Sequence, residues 1–121
     1  MSTAAQAYAK TARTTASPRE IEAQALLKAA NKLQSVMANW PNTDVDFAEA
    51  LLFNRKLWSI LLSAVTSDDN PQPIEVRQNI ANIGTFVMSQ TAELQLYPQP
   101  EKLKPLIEIN CNLAAGLSGR G

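Results

Sequence analysis

Residues 53–65 read FNRKLWSILLSAV, and this stretch decides the fold class. Its apolar residues recur at alternating spacings of three and four, which is the period of one helix face. Extended upstream, that face is formed by Phe47, Leu51, Asn54, Trp58, Leu61 and Val65. Asn54 therefore lies among predicted core positions, where its amide must find hydrogen-bond partners. We expect a central helix that keeps one polar side chain in the core and contacts two neighbouring helices.

A second amphipathic helix is predicted ahead of this segment. Ser17 and Glu20 form a capping box around Pro18, and proline is favoured at the first helical position. The helix is expected to end at Pro41. Its apolar stripe consists of Ala23, Leu26, Ala30, Leu33, Met37 and Trp40.

The third and fourth predicted helices follow two proline-containing breaks. One begins near Pro73, and its stripe consists of Val76, Ile80, Ile83, Val87, Thr91 and Leu94. Gly84 lies inside this helix, where it costs about 1 kcal/mol relative to Ala, so we expect a neighbouring helix to approach it closely. The last helix is predicted over residues 101–115, with Gly116 as its C′ residue. Pro105 removes one helical hydrogen bond, which predicts either a later start or a 3₁₀ first turn.

Together these segments predict an all-α fold, a compact bundle of about four amphipathic helices with a flexible N-terminal arm. Residues 17–117 are expected to form a single helical domain. Residues 1–16 are rich in Ala and Thr, and Tyr8 is their only aromatic side chain. Such a segment buries too little surface to stay ordered by itself. We expect a loosely ordered arm that either packs on the bundle or clamps a partner.

The composition argues against catalysis and against several classes of partner. The chain has no His, one Cys, and eleven basic and eleven acidic residues. Without His the usual general base and the commonest metal ligand are missing, so we predict no enzyme activity, no metal and no cofactor. Cys111 is expected to be a small, partly buried packing residue. The scattered charges do not favour direct nucleic-acid binding. No apolar run is long enough to insert into a membrane and no signal-peptide core is present, so a cytoplasmic location is expected.

Polar and aromatic residues beside the core stripes have two interpretations. In the structural one, Asn54 joins a network that sets the helix register, together with Asn82, Asn110 and Asn112. In the functional one, a groove binds a partner helix through residues drawn from Tyr8, Phe53, Asn54, Arg55, Trp58, Arg77, Gln78 and Asn79. The sequence leaves both interpretations open, and it leaves the oligomeric state open as well.

Four stretches of the chain resemble one known family. They read AYAKTARTTASPREIEAQALLKAA, ALLFNRKLWSILL, PIEVRQNIANIGTFV and PEKLKPLIEINCNLAAGL. Within them, the cues AYA, SPRE, N-R-x-L-W, R-Q-N-I and I-N-x-N-x-A-x-G-L occur in the family's order. From residue 7 to residue 117 the chain thus resembles the FlaF family of flagellar biosynthesis regulatory proteins.

This resemblance implies a cytoplasmic accessory protein that is not an enzyme. It implies that the chain binds flagellin before export, as a secretion chaperone, and promotes flagellin synthesis and filament assembly. The alternative that it implies is a post-transcriptional regulator of flagellin expression, which acts on mRNA or through a partner regulator, FlbT. Flagellin is therefore the expected partner, and FlbT is a second candidate.

Overall fold

The computed structural model describes residues 18–41 and 44–119, and these residues form four α-helices. The helices are α1 (Pro18–Ala38), α2 (Asp44–Thr66), α3 (Ile74–Leu96) and α4 (Leu103–Leu117), with a short 3₁₀ helix at Pro100–Lys102 before α4. No strand occurs in the described residues, and the predicted all-α bundle is confirmed. The predicted arm over residues 1–16 and the predicted N-cap Ser17 lie outside the described residues.

The helix ends follow the local sequence with two exceptions. Helix α1 ends at Ala38, ahead of the predicted end at Pro41, so Trp40 of its predicted stripe lies beyond the helix. Pro18 is the first residue of α1, as predicted. The chain ahead of Pro105 forms the predicted 3₁₀ turn, and α4 then begins at Leu103. The prediction that Gly116 ends the last helix is wrong, because Gly116 is itself helical. The left-handed residue is Gly119, with a φ of 73°, and its N–H donates to the Gly116 carbonyl oxygen over 3.1 Å.

The helices pack around one hydrophobic cluster. Helix α1 packs against α2 and α4, and α2 also packs against α3. All six predicted stripe positions of α2 are buried, so α2 is the central helix that the sequence predicts. The largest enclosed apolar side chains of the cluster are Trp58, Leu26, Leu33, Leu51, Leu94, Leu103, Leu106 and Val87.

Helix α3 meets α2 at Gly84, which confirms the predicted close approach. A Cβ atom at this position would lie 2.5 Å from Leu62 Cδ2 and 2.8 Å from Leu62 Cγ, so the leucine would have to move if any other residue replaced the glycine. The buried face of α3 is turned toward this contact and consists of Gly84, Val87, Thr91 and Leu94. Val76 and Ile83, predicted in the core stripe, are instead 40% and 37% exposed. Packing at Gly84 rotates the buried line away from them.

Candidate functional site

Three side chains form a chain of hydrogen bonds in the bundle core. Trp58 donates its Nε1–H to Asn110 Oδ1 over 3.0 Å, and Asn110 Nδ2 donates to Asn54 Oδ1 over 2.7 Å. All three residues are 0% exposed. An indole N–H can only donate, so Trp58 orients the Asn110 amide, and Asn110 in turn orients the Asn54 amide. These bonds join α2 to α4 and stabilise one register between the two helices.

The burial of this network contradicts the partner-binding role predicted for two residues. Asn54 and Trp58 are completely enclosed, so neither side chain can contact a partner while the helices stay packed. The network also has different members from those predicted, since Asn82 and Asn112 are exposed. Asn112 follows Asn110 by two residues, which places it about 200° around the helix, away from the core.

Arg77 closes the C-terminal end of α2. Its Nε–H donates to the Val65 carbonyl oxygen and its Nη2 donates to the Ser67 carbonyl oxygen, each over 2.8 Å. A guanidinium is favourable at this end of a helix because the last carbonyls lack helical partners and carry the negative end of the dipole. The half-buried Arg77, predicted as a partner-binding residue, thus has a capping contact inside the protein.

The remaining predicted partner-binding residues differ in accessibility. Phe53 is half-buried, and the Nζ atoms of Lys28 and Lys32 lie 5.5 and 5.3 Å from its ring centroid, within the range of cation–π attraction. Three side chains are exposed, namely Arg55, Gln78 and Asn79. Tyr8 lies outside the described residues. Gln78 and Asn79 are consecutive residues of α3, whereas Arg55 lies on a different helix, α2.

A row of accessible side chains runs along α3 beside its buried face. This row, here named the α3 seam, consists of Val76, Asn79, Ile83, Phe86 and Gln90. Phe86 is 44% exposed, more than either apolar neighbour in the row. Between Arg77 and Glu93 the helix contains no charged residue. Depletion of charge together with an exposed aromatic residue is typical of the core of a protein interface.

The sequence contained a signal for this seam that the prediction of the core stripe obscured. The spacings of three, four, three and four from residue 76 to residue 90 repeat those of a buried stripe, offset slightly around the same helix. The spacing alone therefore predicts core positions for two members, Val76 and Ile83, and it makes no prediction for Phe86. The long uncharged stretch is the feature that distinguishes an interface from an ordinary solvated face.

An apolar pocket lies beside the first half of the α3 seam. Its volume is about 180 Å³, and it lies where the start of α1, the end of α2 and the end of α4 meet α3. The apolar part of its wall is formed by Leu61, Val65, Ile80, Leu113 and Leu117, and the polar part by Arg19, Glu22, Asn70 and Gln72. Ile80 is four residues after Val76 and three before Ile83, so it is their neighbour on the helix surface. Ile80, the one residue of α3 that lines the pocket, thus connects the pocket to the seam.

The described residues contain no group of three or more His, Cys, Asp or Glu side chains that could hold a metal ion. Cys111 is exposed, contrary to the prediction of a partly buried packing residue, because the core face of α4 at this level is taken by its neighbour Asn110. In the part of the chain that the structure describes, no helix is long and apolar enough to cross a membrane.

A closed polar core and an exposed, uncharged helix seam place this chain in the class of small all-α bundle proteins with an accessible apolar helix face. Within that class, the chain belongs to the FlaF family, because the family model described as flagellar protein FlaF matches residues 4–117. The chain is therefore a flagellar protein. No curated protein and no solved structure matches it significantly.

Proposed function

We propose that this protein binds flagellin in the cytoplasm as a secretion chaperone, and that it thereby promotes flagellin synthesis and filament assembly. Membership of the FlaF family supports a flagellar role. The observation that carries the finer proposal is the α3 seam, because its three apolar side chains and Asn79 are exposed side by side on one helix and carry no charge. The proposed activity is binding, and it requires neither a metal nor a cofactor.

A seam of this kind fits a guest that is helical but lacks a partner before assembly. An amphipathic helix buries its apolar side against such a surface through anchors at helical spacing. While it is bound, that side cannot pair with another guest molecule, which prevents premature assembly. Ordering the guest consumes part of the binding free energy, so the complex is weak enough to release its guest for export.

Titration calorimetry with the full-length chain and monomeric flagellin tests the proposal. We expect a dissociation constant of about 1 μM or tighter and a negative heat-capacity change from apolar burial. A parallel titration uses RNA that carries the flagellin leader. Absence of flagellin binding would contradict the proposal and favour the regulatory alternative. In that case, salt-sensitive binding of the RNA would indicate direct action on mRNA, and no RNA binding would direct the test to FlbT.

A further inference from the structure

We infer that the α3 seam is the surface that holds the guest, and that it takes a helical segment whose contacting face is uncharged. This inference rests on the proposed function, since it identifies the site and the chemistry of flagellin binding. Three properties of the seam carry it: the spacing of its residues, the lack of charge on α3 between Arg77 and Glu93, and its contrast with a second exposed patch on α2.

The spacing of the seam selects a helix as the occupant. Its five residues alternate at steps of three and four, the spacing with which two helices pack side by side. From Val76 to Gln90 the seam is about 21 Å long, the length of four helical turns. An extended strand presents side chains to one face at every second residue, and that period does not match the seam over this length. The adjacent pocket at Ile80 can accept one bulky apolar side chain of such a helix.

The charge pattern defines the face that the occupant presents. No charged residue occurs from Gln78 to Ala92, so a guest carboxylate or ammonium group placed on the seam between Asn79 and Gln90 would lose water without gaining an ionic partner. That desolvation is costly. Asn79 and Gln90 can instead bond to amide or hydroxyl groups of the guest. The complementary face is therefore apolar, with uncharged polar residues where the helix meets these two amides.

A second exposed apolar patch differs from the α3 seam because basic side chains border it. On α2, Leu52 is 44% exposed and Ile60 is 67% exposed. Arg55 and Lys56 lie between them and border the same shallow groove. That patch would select an acidic segment, and salt would weaken its binding. The α3 seam has no such cations, so the two surfaces predict different salt dependence for the same guest.

A second copy of this chain is the less suitable occupant. A contact about 21 Å long and about 10 Å wide, the diameter of a helix, covers about 200 Å² on each side. A stable protein–protein interface buries about 800 Å² on each partner. Two seams facing each other therefore fall well short of a stable dimer, whereas a guest helix that also places a side chain in the adjacent pocket at Ile80 buries more than the seam alone.

The test compares charge insertions on the two surfaces by calorimetry with monomeric flagellin. The seam variants are Ile83→Lys and Ile83→Glu, and the matched controls are Ile60→Lys and Ile60→Glu on α2. Each variant chain is full-length and is first checked for an unchanged circular dichroism spectrum and melting temperature. We expect both Ile83 variants to bind about tenfold more weakly or worse, because either charge would be desolvated at the seam. We expect the Ile60 variants to bind within about twofold of the wild type.

Salt gives an independent readout. The wild-type affinity is expected to change by less than about twofold between about 50 and about 500 mM salt, because no exposed ion pair forms at the seam. Sedimentation of the unliganded protein is expected to show a monomer.

Several outcomes would overturn the inference while leaving the proposed function standing. In the first, the wild type binds flagellin and neither Ile83 variant weakens that binding. In the second, only one of the two charges at Ile83 weakens it. In the third, the Ile60 variants weaken binding instead, or wild-type binding depends strongly on salt. A dimer that Ile83→Lys dissociates would show that a second copy occupies the seam. If the wild type fails to bind flagellin at all, the proposed function itself is contradicted, and the two failures are thus distinguishable.

Discussion

Replacement of Asn110 by alanine tests whether the buried polar network stabilises the bundle. The change leaves Trp58 Nε1–H without its acceptor at 3.0 Å and Asn54 Oδ1 without its donor at 2.7 Å. Both groups are fully enclosed, and each stranded buried group costs about 1–3 kcal/mol. We therefore expect Asn110→Ala to lower the free energy of unfolding by about 4 kcal/mol. For a chain of this size that corresponds to a fall in melting temperature of roughly 15 °C.

Two further variants make the result specific to the network. Asn54→Ala breaks one bond but also removes the Asn54 Nδ2 group, which has no hydrogen-bond partner among the described residues. These effects oppose each other, so we expect a loss of only about 1 kcal/mol. Asn112→Ala alters an exposed asparagine on the same helix and is expected to stay within about 0.5 kcal/mol of the wild type.

Urea denaturation followed by circular dichroism measures these differences, with the slope of each transition as a check on two-state unfolding. Indole fluorescence gives a second probe of the environment of Trp58. A loss below about 1 kcal/mol for Asn110→Ala would refute the reasoning. Equal losses for Asn110→Ala and Asn54→Ala would also refute it, because Asn110 makes both bonds of the network and Asn54 makes only one.

Three other predictions concern the α2 terminus, the α2–α3 contact and the thiol. Arg77→Ala is expected to lower the free energy of unfolding by about 2 kcal/mol, since it removes both bonds to the end of α2; Arg77→Lys keeps the charge and should restore less than half, and full restoration in urea titrations would refute the forked contact. Gly84→Ala is expected to cost about 1 kcal/mol, because crowding against Leu62 outweighs the gain in helix propensity. In a Leu62→Ala background the same substitution should cost less, which a double-mutant cycle measures. A stabilising effect of Gly84→Ala in the wild-type background would contradict the close approach. Cys111 is exposed, so a thiol reagent should label the native protein completely without denaturant, whereas labelling only after unfolding would place the side chain in the core.

The sequence determined which residues share a face of each helix, because that depends only on the helical period. The six stripe positions of α2 were all buried as predicted, and the proline positions placed the starts of α1 and of the 3₁₀ turn correctly. Gly84 also predicted a close helix contact correctly. These features are local, or they depend on a single residue type with few alternatives.

The tertiary structure decided how far each helix is rotated and which polar groups meet. Val76 and Ile83 satisfy the same spacing as the buried residues of α3, but the buried face is the one that contains Gly84, and it leaves both residues exposed. Likewise, Trp58 and Asn110 are 52 residues apart in the chain, so no local pattern could pair them. A periodic pattern defines a face up to a rotation about the helix axis, and the neighbouring helices set that rotation through the side chains that they can accommodate.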